Sequence, residues 1–350
     1  MSSRSREEDM ERQREGGAFS ENGILPKPDG KKVLLEARQL VKEFPAGGTR
    51  KKPQVVHAVT DVSLKIYEGE TLALVGESGC GKSTLGRVLI RLLEPTSGGI
   101  LYQGQEIVGM KEAEFAGLRR EMQIIFQDPY ASLNPRMSVG EIIGEPLLTY
   151  GMKDRKEREA RVRELMQEVG IAQEFYNRYP HQFSGGQRQR IGIARAIALN
   201  PRLIICDEPV SALDVSIQSQ VLNLLKDLQE RYGLTYLFIS HDLSVVKFIA
   251  DRVCVMFLGS VCEIGDTDEL YGKPLHPYTR FLLNAIPKAD PRLRSKEKEL
   301  LSGEIPSPVN PPPGCRFHTR CPYVKDICRK EVPECHKVGK RRVFCHFPLG

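Results

Sequence analysis

The sequence lacks any run of about 18 consecutive apolar residues, which is the length that a membrane-spanning helix requires. Its first residues, Met1 to Glu15, are mostly polar and charged, and they lack the apolar segment of a secretory signal. Of the 350 residues, 40% are hydrophobic and 27% are charged, as in ordinary soluble globular proteins. We therefore expect a cytosolic protein that acts at a membrane only by docking onto partner proteins.

The charge of the chain is not evenly distributed. The net charge is +6, but residues 288–350 alone carry 14 Lys and Arg against 7 Asp and Glu. Such a basic segment is suited to nucleic acid, to anionic lipid headgroups or to an anionic cofactor, and it is equally typical of a solvated tail. Charge alone does not choose between these interpretations.

The Cys-x2-Cys pairs that are typical of zinc knuckles are missing, although the chain has nine cysteines. A disulfide framework is not expected in a cytosolic protein, so thiol or metal chemistry is the better interpretation. Cys206, Cys254 and Cys262 stand among apolar residues and are predicted to be small core residues. Four of the five cysteines in the last 36 residues are spaced like ligands of zinc or of an iron–sulfur cluster, with uncoordinated thiols as a third interpretation: Cys315, Cys321, Cys328 and Cys345.

The chain divides into three segments of different composition. Residues 1–32 are charged and poor in aliphatic residues, which predicts a disordered tail. Residues 33–265 alternate short apolar runs with helical patterns, which predicts a mainly parallel α/β sheet. Residues 266–350 become rich in proline and then in cysteine, and we expect them to form a separate, small appendage.

Within the middle segment, apolar runs and breaker residues predict individual elements. Residues 45–53 are rich in glycine and lysine and are predicted to be a loop between two strands. Buried strands are predicted at Thr71–Val75, Leu203–Cys206 and Thr235–Ile239, and helices at Ser83–Leu93, Lys153–Val169, Gly185–Leu199 and Val215–Tyr232.

The segment Gly76–Ser83 fits the pattern G-x-x-x-x-G-K-[ST], and it stands between a predicted strand and a predicted helix. Its glycines allow backbone N–H groups to curl around a phosphate, and Lys82 places a cation on the outer phosphates. The hydroxyl of Ser83 is suited to bind Mg²⁺. The sequence therefore predicts a nucleotide phosphate site.

Polar side chains follow two further strands that are predicted to be buried. Asp207 and Glu208 follow the apolar run Leu203–Cys206, and His241 follows the next one. Asp207 is suited to hold Mg²⁺, and Glu208 is suited to orient and polarise an attacking water. Because parallel strands end at one edge of the sheet, we expect these groups to converge on one site.

A second anion-binding helix start is predicted at Ser184–Gln187, whose sequence is Ser-Gly-Gly-Gln. One compact site has little use for two phosphate cradles, but a head-to-tail dimer uses both. The combination over residues 33–265 resembles the ATP-binding subunits of ABC proteins. That resemblance implies a P-loop NTPase (RecA-like) core with a helical subdomain at about residues 128–190.

The resemblance also implies roles for individual residues. Catalysis is assigned to Glu208, with Gln127 as the Q-loop glutamine and His241 as the switch histidine. Mg²⁺ is assigned to Ser83, Gln127 and Asp207. Contacts with ATP, made from this subunit or to the nucleotide of the opposite one, are assigned to Phe44, Gly76, Ser78, Gly79, Gly81, Lys82, Ser83, Thr84, Gln127, Ser184, Gly185, Gly186, Gln187, Asp207 and Asp214.

The stretches 126–137, 276–279 and 303–315 are similar to the oligopeptide and dipeptide importer ATPases, and particularly to the second of their paired subunits. This implies a sister ATPase in a heterodimer, two transmembrane permease subunits and, indirectly, an extracytoplasmic substrate-binding protein, with the chain on the cytoplasmic face of the membrane. Importers of nickel share parts of the pattern, so nickel or another small solute is an alternative cargo. A soluble ABC ATPase that acts on nucleic acid or ribosomes is a further alternative, but the chain has one cassette and no sustained heptads.

In the C-terminal extension of this importer family, the resemblance implies a [4Fe–4S] cluster, held here by Cys315, Cys321, Cys328 and Cys345. Zinc is the alternative, and Cys335 has no assigned role. Basic residues between these cysteines would offset the negative charge of a thiolate-bound cluster. We expect a structural role, because a metal can organise a segment that has too few apolar residues for a core.

Overall fold

The computed structural model describes residues 30–49, 52–286 and 303–350. Of the predicted N-terminal tail, residues 1–29 lie outside the described residues. The strands are β1 (Val33–Thr49), β2 (Lys52–Tyr67), β3 (Thr71–Val75), β4 (Ser97–Tyr102), β5 (Gln105–Glu106), β6 (Met122–Ile125), β7 (Leu203–Asp207), β8 (Thr235–Ser240), β9 (Arg252–Phe257), β10 (Ser260–Asp266), β11 (Cys335–Val338) and β12 (Arg341–Phe344).

The α-helices of the same residues are separated by short loops and 3₁₀ turns. They are α1 (Lys82–Leu89), α2 (Glu112–Arg119), α3 (Val139–Thr149), α4 (Arg155–Glu168), α5 (Gly185–Ile197), α6 (Val215–Tyr232), α7 (Leu243–Ile249), α8 (Thr267–Gly272), α9 (Pro277–Asn284) and α10 (Asp326–Lys330). None of these helices is long and apolar enough to cross a bilayer.

The main sheet has the strand order β11-β12-β10-β9-β3-β8-β7-β6. Strands β6, β7, β8, β3 and β9 run parallel, because helical segments carry the chain back between them. Strands β3, β7 and β8 are buried along their whole length, as expected of strands covered on both faces. A smaller antiparallel sheet has the order β2-β1-β4-β5.

The register of the parallel strands sets the position of the residues that follow them. Val75 of β3 pairs with Ser240 of β8, and Asp207 of β7 pairs with Ile239. Strand β6 pairs with β7 up to the pair of Ile125 and Cys206. The four strand ends therefore lie side by side at one edge of the sheet.

Helices α3, α4 and α5 form a cluster that packs against β6 and β7. Val139, Val162 and Ile191 of these helices share one core with Ile125 and Ile204 of the two strands. Helix α3 begins at Ser138, whose hydroxyl accepts from Glu141 N while the Glu141 side chain accepts from the Ser138 backbone N–H. Helix α4 begins at Asp154, which caps Glu157 N. Such caps satisfy the free N–H groups of the first turn.

The segment 45–53, which the sequence predicted to be a loop, belongs largely to a long β-hairpin. Strands β1 and β2 continue to pair through Phe44 with Val56 and Gly47 with Gln54. The ladder shifts register between Pro45 and Gly47. Gly47 has a φ of +96°, which a glycine adopts without steric cost. This bulge lets the pairing pass a proline that cannot donate a hydrogen bond.

The C-terminal segment, which we expected to be a separate appendage, shares both the sheet and a core with the preceding residues. Strand β12 pairs with β10 through Arg342 and Ile264, and β11 pairs with β12. Phe317 packs against Phe257 and Tyr278, with ring centroids 5.3 Å away in each case. The apolar residues of this segment are few, but they join an existing core and need not build their own.

Candidate active site

The loop Gly76–Ser83 leaves β3 and runs into α1 with three glycines at positive φ: Gly76, Gly79 and Gly81. A Cβ on Gly76 would lie 2.2 Å from the carbonyl oxygen of Met256. A Cβ on Gly81 would lie 2.0 Å from the carbonyl oxygen of Ala58. Neighbouring backbone thus fixes the loop in a shape that only glycine permits at these two positions.

Lys82 is buried and turns its ammonium group back over the loop. Its Nζ donates to the carbonyl of Gly76 at 2.8 Å and to that of Glu77 at 3.0 Å. The backbone N–H groups at the start of α1 face the same loop and add the positive end of the helix dipole. The loop therefore concentrates positive charge and N–H donors, which suits a phosphate.

Ser83 and Asp207 meet although they are distant in the sequence. The Ser83 hydroxyl donates to Asp207 Oδ1 at 2.6 Å, and Arg87 lies 3.4 Å from Asp207 Oδ2. A hydroxyl and a carboxylate are hard oxygen ligands of the kind that Mg²⁺ prefers. These two side chains therefore fit a magnesium ion beside the phosphate loop.

Glu208 joins the ends of three strands. Its Oε2 accepts a hydrogen bond from Gln127 Nε2 at 2.9 Å and lies 3.2 Å from His241 Nδ1. Its backbone N–H donates to the carbonyl of Ile239, and its φ is +47°, which is uncommon for a residue with a side chain. The expected convergence of these polar groups is present, with one carboxylate at its centre.

The residues Ser184–Gln187 form the start of α5. The Ser184 hydroxyl accepts from Gln187 N, while the Gln187 side chain accepts from the Ser184 N–H. A Cβ on Gly186 would lie 2.5 Å from Cγ2 of Ile217, so α5 and α6 are close there. Asp214 occupies the N-cap position of α6 without a side-chain cap bond. Within the described residues, Ser184 and Gln187 bond each other and not the cluster around Glu208.

The other residues predicted to contact ATP lie on β1, on the phosphate loop and at the start of α1. Phe44 lies half-buried on β1, with Lys42 Nζ 5.0 Å from its ring centroid. Ser78 is exposed on the loop, and Thr84 lies in the first turn of α1. The sequence interpretation missed Arg87, one turn into α1, although its position after the loop is a local signal. It also missed Tyr278 and Arg320, which contact Glu77 from the distant C-terminal segment.

The iron–sulfur prediction is wrong, and so is its zinc alternative. Cys315, Cys321, Cys328 and Cys345 do line one pocket. However, within residues 30–49, 52–286 and 303–350, no group of three or more His, Cys, Asp or Glu is placed to hold a metal ion. Burial raises the pKa of Cys315 to about 12 and also raises those of Cys321 and Cys345.

Comparison with known protein families yields two matches. A family model described as "ABC transporter" matches residues 59–211. A second, described as "Oligopeptide/dipeptide transporter, C-terminal region", matches residues 262–328. The loop, Gln127, Ser184–Gln187 and Glu208 lie within the first match, and His241 follows it, so the fold and site define an ATP-binding cassette.

Comparison with curated proteins narrows this class. The chain is 54% identical over 323 residues to the oligopeptide transport ATP-binding protein OppF of Escherichia coli, covering 91% of this chain and 97% of that protein. It is 54% identical over 319 residues to AppF of Bacillus subtilis, covering 90% and 97%. The chain thus belongs to the ATP-binding subunits of the oligopeptide/dipeptide ABC transporter family, and the predicted resemblance is confirmed.

Solved structures confirm the predicted P-loop cassette fold. The ATP-binding cassette MJ0796, solved as a dimer in a post-hydrolysis state with ADP and Pi, is 30% identical and has a TM-score of 0.60. The match covers 67% of this chain and 98% of the MJ0796 chain. CbiO1 from Clostridium perfringens is 29% identical with the same TM-score, covering 69% and 91%. As a member of this family, the chain is an ATPase coupled to transport.

Proposed function

We propose that the chain is the ATP-hydrolysing motor of an importer for oligopeptides or dipeptides. The observation that carries this proposal is the meeting of Gln127, His241 and Glu208 beside an intact phosphate loop. That cluster occurs in a chain whose relatives include OppF and the di/tripeptide transport protein DppF of Pseudomonas aeruginosa, 50% identical over 315 residues. Peptide cargo is supported by those relatives, and hydrolysis by the cluster.

The phosphate loop would bind the nucleotide with its N–H groups and with Lys82. Bound Mg²⁺, held by Ser83 and Asp207 with Gln127 near, would offset the negative charge of the phosphates. Glu208 is positioned to orient a water and to accept its proton. Gln127 and His241 both contact Oε2 of Glu208, so they hold this carboxylate in one orientation.

The complete site needs a second ATPase subunit in this proposal. Ser184–Gln187 form the N-terminus of α5, a second anion site that makes no hydrogen bond to the chain's own Glu208 cluster within the described residues. In a head-to-tail pair, this helix start and the neighbouring Asp214 would reach the nucleotide on the opposite subunit. Phe44 would stack on the adenine of the chain's own nucleotide. The dimeric state of the related cassette MJ0796 supports this arrangement.

The remaining partners follow from the same family membership. The motor would dock on two membrane permease subunits at the cytoplasmic face, pair with a sister ATPase and act indirectly with an extracytoplasmic peptide-binding protein. A pull-down from solubilised membranes tests this set. Two polytopic proteins and a sister ATPase are the expected result, whereas ribosomal or DNA-bound partners would contradict it.

Glu208→Gln tests the assigned catalytic role. The variant keeps the size of the side chain but removes the proton acceptor, so we expect kcat to fall at least about 100-fold while ATP binding is retained. Steady-state ATPase assays and nucleotide-binding titrations measure the two quantities. Glu230→Gln, on the exposed face of α6, is the matched control. Near-normal turnover in Glu208→Gln would remove this residue from the mechanism.

Uptake in cells tests the cargo. Cells that lack this chain should fail to accumulate a labelled tripeptide and should resist toxic peptide analogues, and the wild-type gene should restore both. Cells carrying Glu208→Gln should behave like cells that lack the chain. Normal peptide uptake combined with lost nickel uptake would assign the motor to a different cargo.

A further inference from the structure

Glu77, the second residue of the phosphate loop, is held by two residues from the C-terminal part of the chain. Its backbone N–H donates to the Tyr278 hydroxyl at 2.9 Å. Its carboxylate accepts from Arg320 at 2.7 Å. Tyr278 lies in α9 and Arg320 in a 3₁₀ turn of the extension, so both contacts come from outside the cassette that the ABC transporter model matches.

The pair of Arg320 and Glu77 is shielded from solvent. The Arg320 side chain is 7% exposed and that of Glu77 is 23% exposed, so water screens this pair less than a surface ion pair. The Arg320 guanidinium also lies 5.9 Å from the ring centroid of Phe257. Its buried Nε has no hydrogen-bond partner among the described residues, and the guanidinium bonds Glu77 through its terminal nitrogen.

The extension also holds the backbone on which the loop rests. Pro308 accepts a hydrogen bond from His57 N at 3.0 Å, and Arg316 donates to the carbonyl of Leu258. These contacted residues adjoin Ala58 and Gly259, and a Cβ on Gly81 would meet both. The phosphate loop is therefore braced by the extension on two sides.

The charge of Glu77 gives this brace an electrostatic consequence. A carboxylate beside a bound triphosphate repels it, and the repulsion is strong where few waters screen it. Arg320 neutralises the carboxylate and turns it aside by a charge-assisted hydrogen bond. The Tyr278 hydroxyl accepts the hydrogen bond of the Glu77 N–H, which fixes the direction of the loop backbone at its second residue.

We propose that Arg320 is a positioning residue for ATP binding, acting on the phosphate loop through Glu77. The proposal rests on the proposed role of that loop in binding the nucleotide. Arg320 sets the loop geometry and cancels a negative charge at its rim. The C-terminal extension is thereby part of the nucleotide site, in addition to any contact that it makes with transporter partners.

The test measures ATP binding and turnover by the full-length chain. Arg320→Met keeps the apolar stem but removes the charge, and we expect Kd and KM for ATP to rise about tenfold with kcat little changed, because ground state and transition state lose the same contact. Arg320→Lys restores charge without the planar fork and should recover part of the affinity. Arg329→Met, at an exposed position on α10, is the matched control and should bind ATP normally.

A second substitution separates electrostatics from a general loss of structure. Glu77→Gln in the Arg320→Met background removes the unbalanced carboxylate but not the loss of the Arg320 contact, so Kd should return part of the way to the wild-type value. Glu77→Gln alone keeps an oxygen acceptor for Arg320 and removes the negative charge from the loop, so it should lower Kd about twofold. This single variant keeps the proposal testable even if Arg320→Met does not fold, since a raised Kd for it would overturn the proposal.

Lys82→Ala distinguishes failure of this inference from failure of the proposed site. Lost ATP binding in Lys82→Ala, combined with an unchanged Kd in a folded Arg320→Met, would overturn only the role of Arg320. Unchanged binding in Lys82→Ala would overturn the phosphate-loop assignment itself. Thermal unfolding of each variant, followed by circular dichroism, verifies that the compared chains are folded.

Discussion

At the scale of single residues, the phosphate loop depends on backbone space at Gly81. A methyl group there would meet the Ala58 carbonyl at 2.0 Å, and the φ of +99° is one that other residues rarely adopt. We expect Gly81→Ala to lower the free energy of unfolding by at least about 2 kcal/mol. Urea denaturation measures this change.

Gly192→Ala on α5 is the control for that substitution. Apart from its chain neighbours and the backbone of its own helical turns, no atom of the described residues lies within 4 Å of its added Cβ, and its φ is not in the left-handed region. Because alanine favours a helix over glycine, this variant should be as stable as the wild type or more stable by up to about 1 kcal/mol. Equal effects of the two substitutions would contradict the steric explanation.

The site residues that could be predicted from the sequence are those marked by a motif or by a neighbouring apolar run. Lys82 and Ser83 follow from the loop motif, and Glu208 and His241 were expected to converge because both follow buried strands. The contact of Arg320 with Glu77 was not predictable, because it depends on how a distant segment folds back over the loop. Cysteine spacing likewise failed as a guide, since it does not say how the folded chain places the thiols of the described residues relative to one another.

At the scale of elements, the start of α9 contains a buried histidine. His276 caps the helix by accepting at Nδ1 from Tyr278 N at 3.0 Å, and burial lowers its pKa to about 3. In the unfolded chain this histidine is protonated below its ordinary pKa near 6.5, whereas in the folded chain it stays neutral down to about pH 3. Protonation of the unfolded state therefore lowers the free energy of unfolding by about 2 kcal/mol as the pH falls from 7 to 5.

His276→Asn tests this dependence. Asparagine keeps a capping acceptor but does not titrate, so the loss of stability between pH 7 and pH 5 should be smaller than in the wild type. Urea denaturation at the two pH values gives the comparison. Nearby Glu263, which accepts from His276 N, titrates in both chains, so their difference isolates the histidine. Parallel pH profiles would refute the assignment.

The capping box of α3 is a second feature at this scale. The Ser138 hydroxyl accepts from Glu141 N, and that cap is lost in Ser138→Ala. We expect the variant to lose about 1 kcal/mol in urea denaturation. Ser219→Ala is the control, because its hydroxyl bonds the Val215 carbonyl within α6 and does not cap a helix end. An equal loss in both variants would argue against capping.

Element boundaries were predictable where breaker residues mark them. Helix α6 spans Val215–Tyr232 as predicted, since Gly233 ends it with a left-handed backbone. The hairpin of β1 and β2 was not predicted, because glycine and proline within a strand are ordinarily loop signals and only pairing with the opposite strand overrides them. The pairing of β12 with β10 also depends on contacts between distant segments.

At the scale of the whole molecule, the main sheet makes the extension part of one folding unit. Deleting residues 334–350 removes β11 and β12, which ends the pairing of β12 with β10 and takes Arg341 away from Glu263, 3.6 Å distant. Glu263 keeps its hydrogen bonds from the backbone, but it loses its ion-pair partner and the cover of the sheet, so we expect a loss of at least about 3 kcal/mol. Denaturant unfolding of the full chain should show a single transition, and the shortened chain should unfold at a lower denaturant concentration.

The exposed turn residue Lys340 provides the control, as Lys340→Ala should leave the transition unchanged. Two transitions in the full chain, one of them unaffected by the deletion, would instead show an independently folding appendage. That outcome would also weaken the role of Arg320, because a detached extension could not hold Glu77 in place.

The cysteines of the central strands are buried and Cys315 and Cys345 are half-buried, which makes the protein suited to thiol-exchange measurements. Burial raises the pKa of Cys206 and Cys254 on the central strands and of Cys315 and Cys345 in the extension, and alkylating reagents attack only thiolates. A raised pKa leaves little thiolate, so each thiol reacts faster when its surroundings open. Labelling of Cys315 and Cys345 before Cys206 and Cys254 would time the detachment of the extension against global unfolding, with mass spectrometry resolving the sites without any introduced probe.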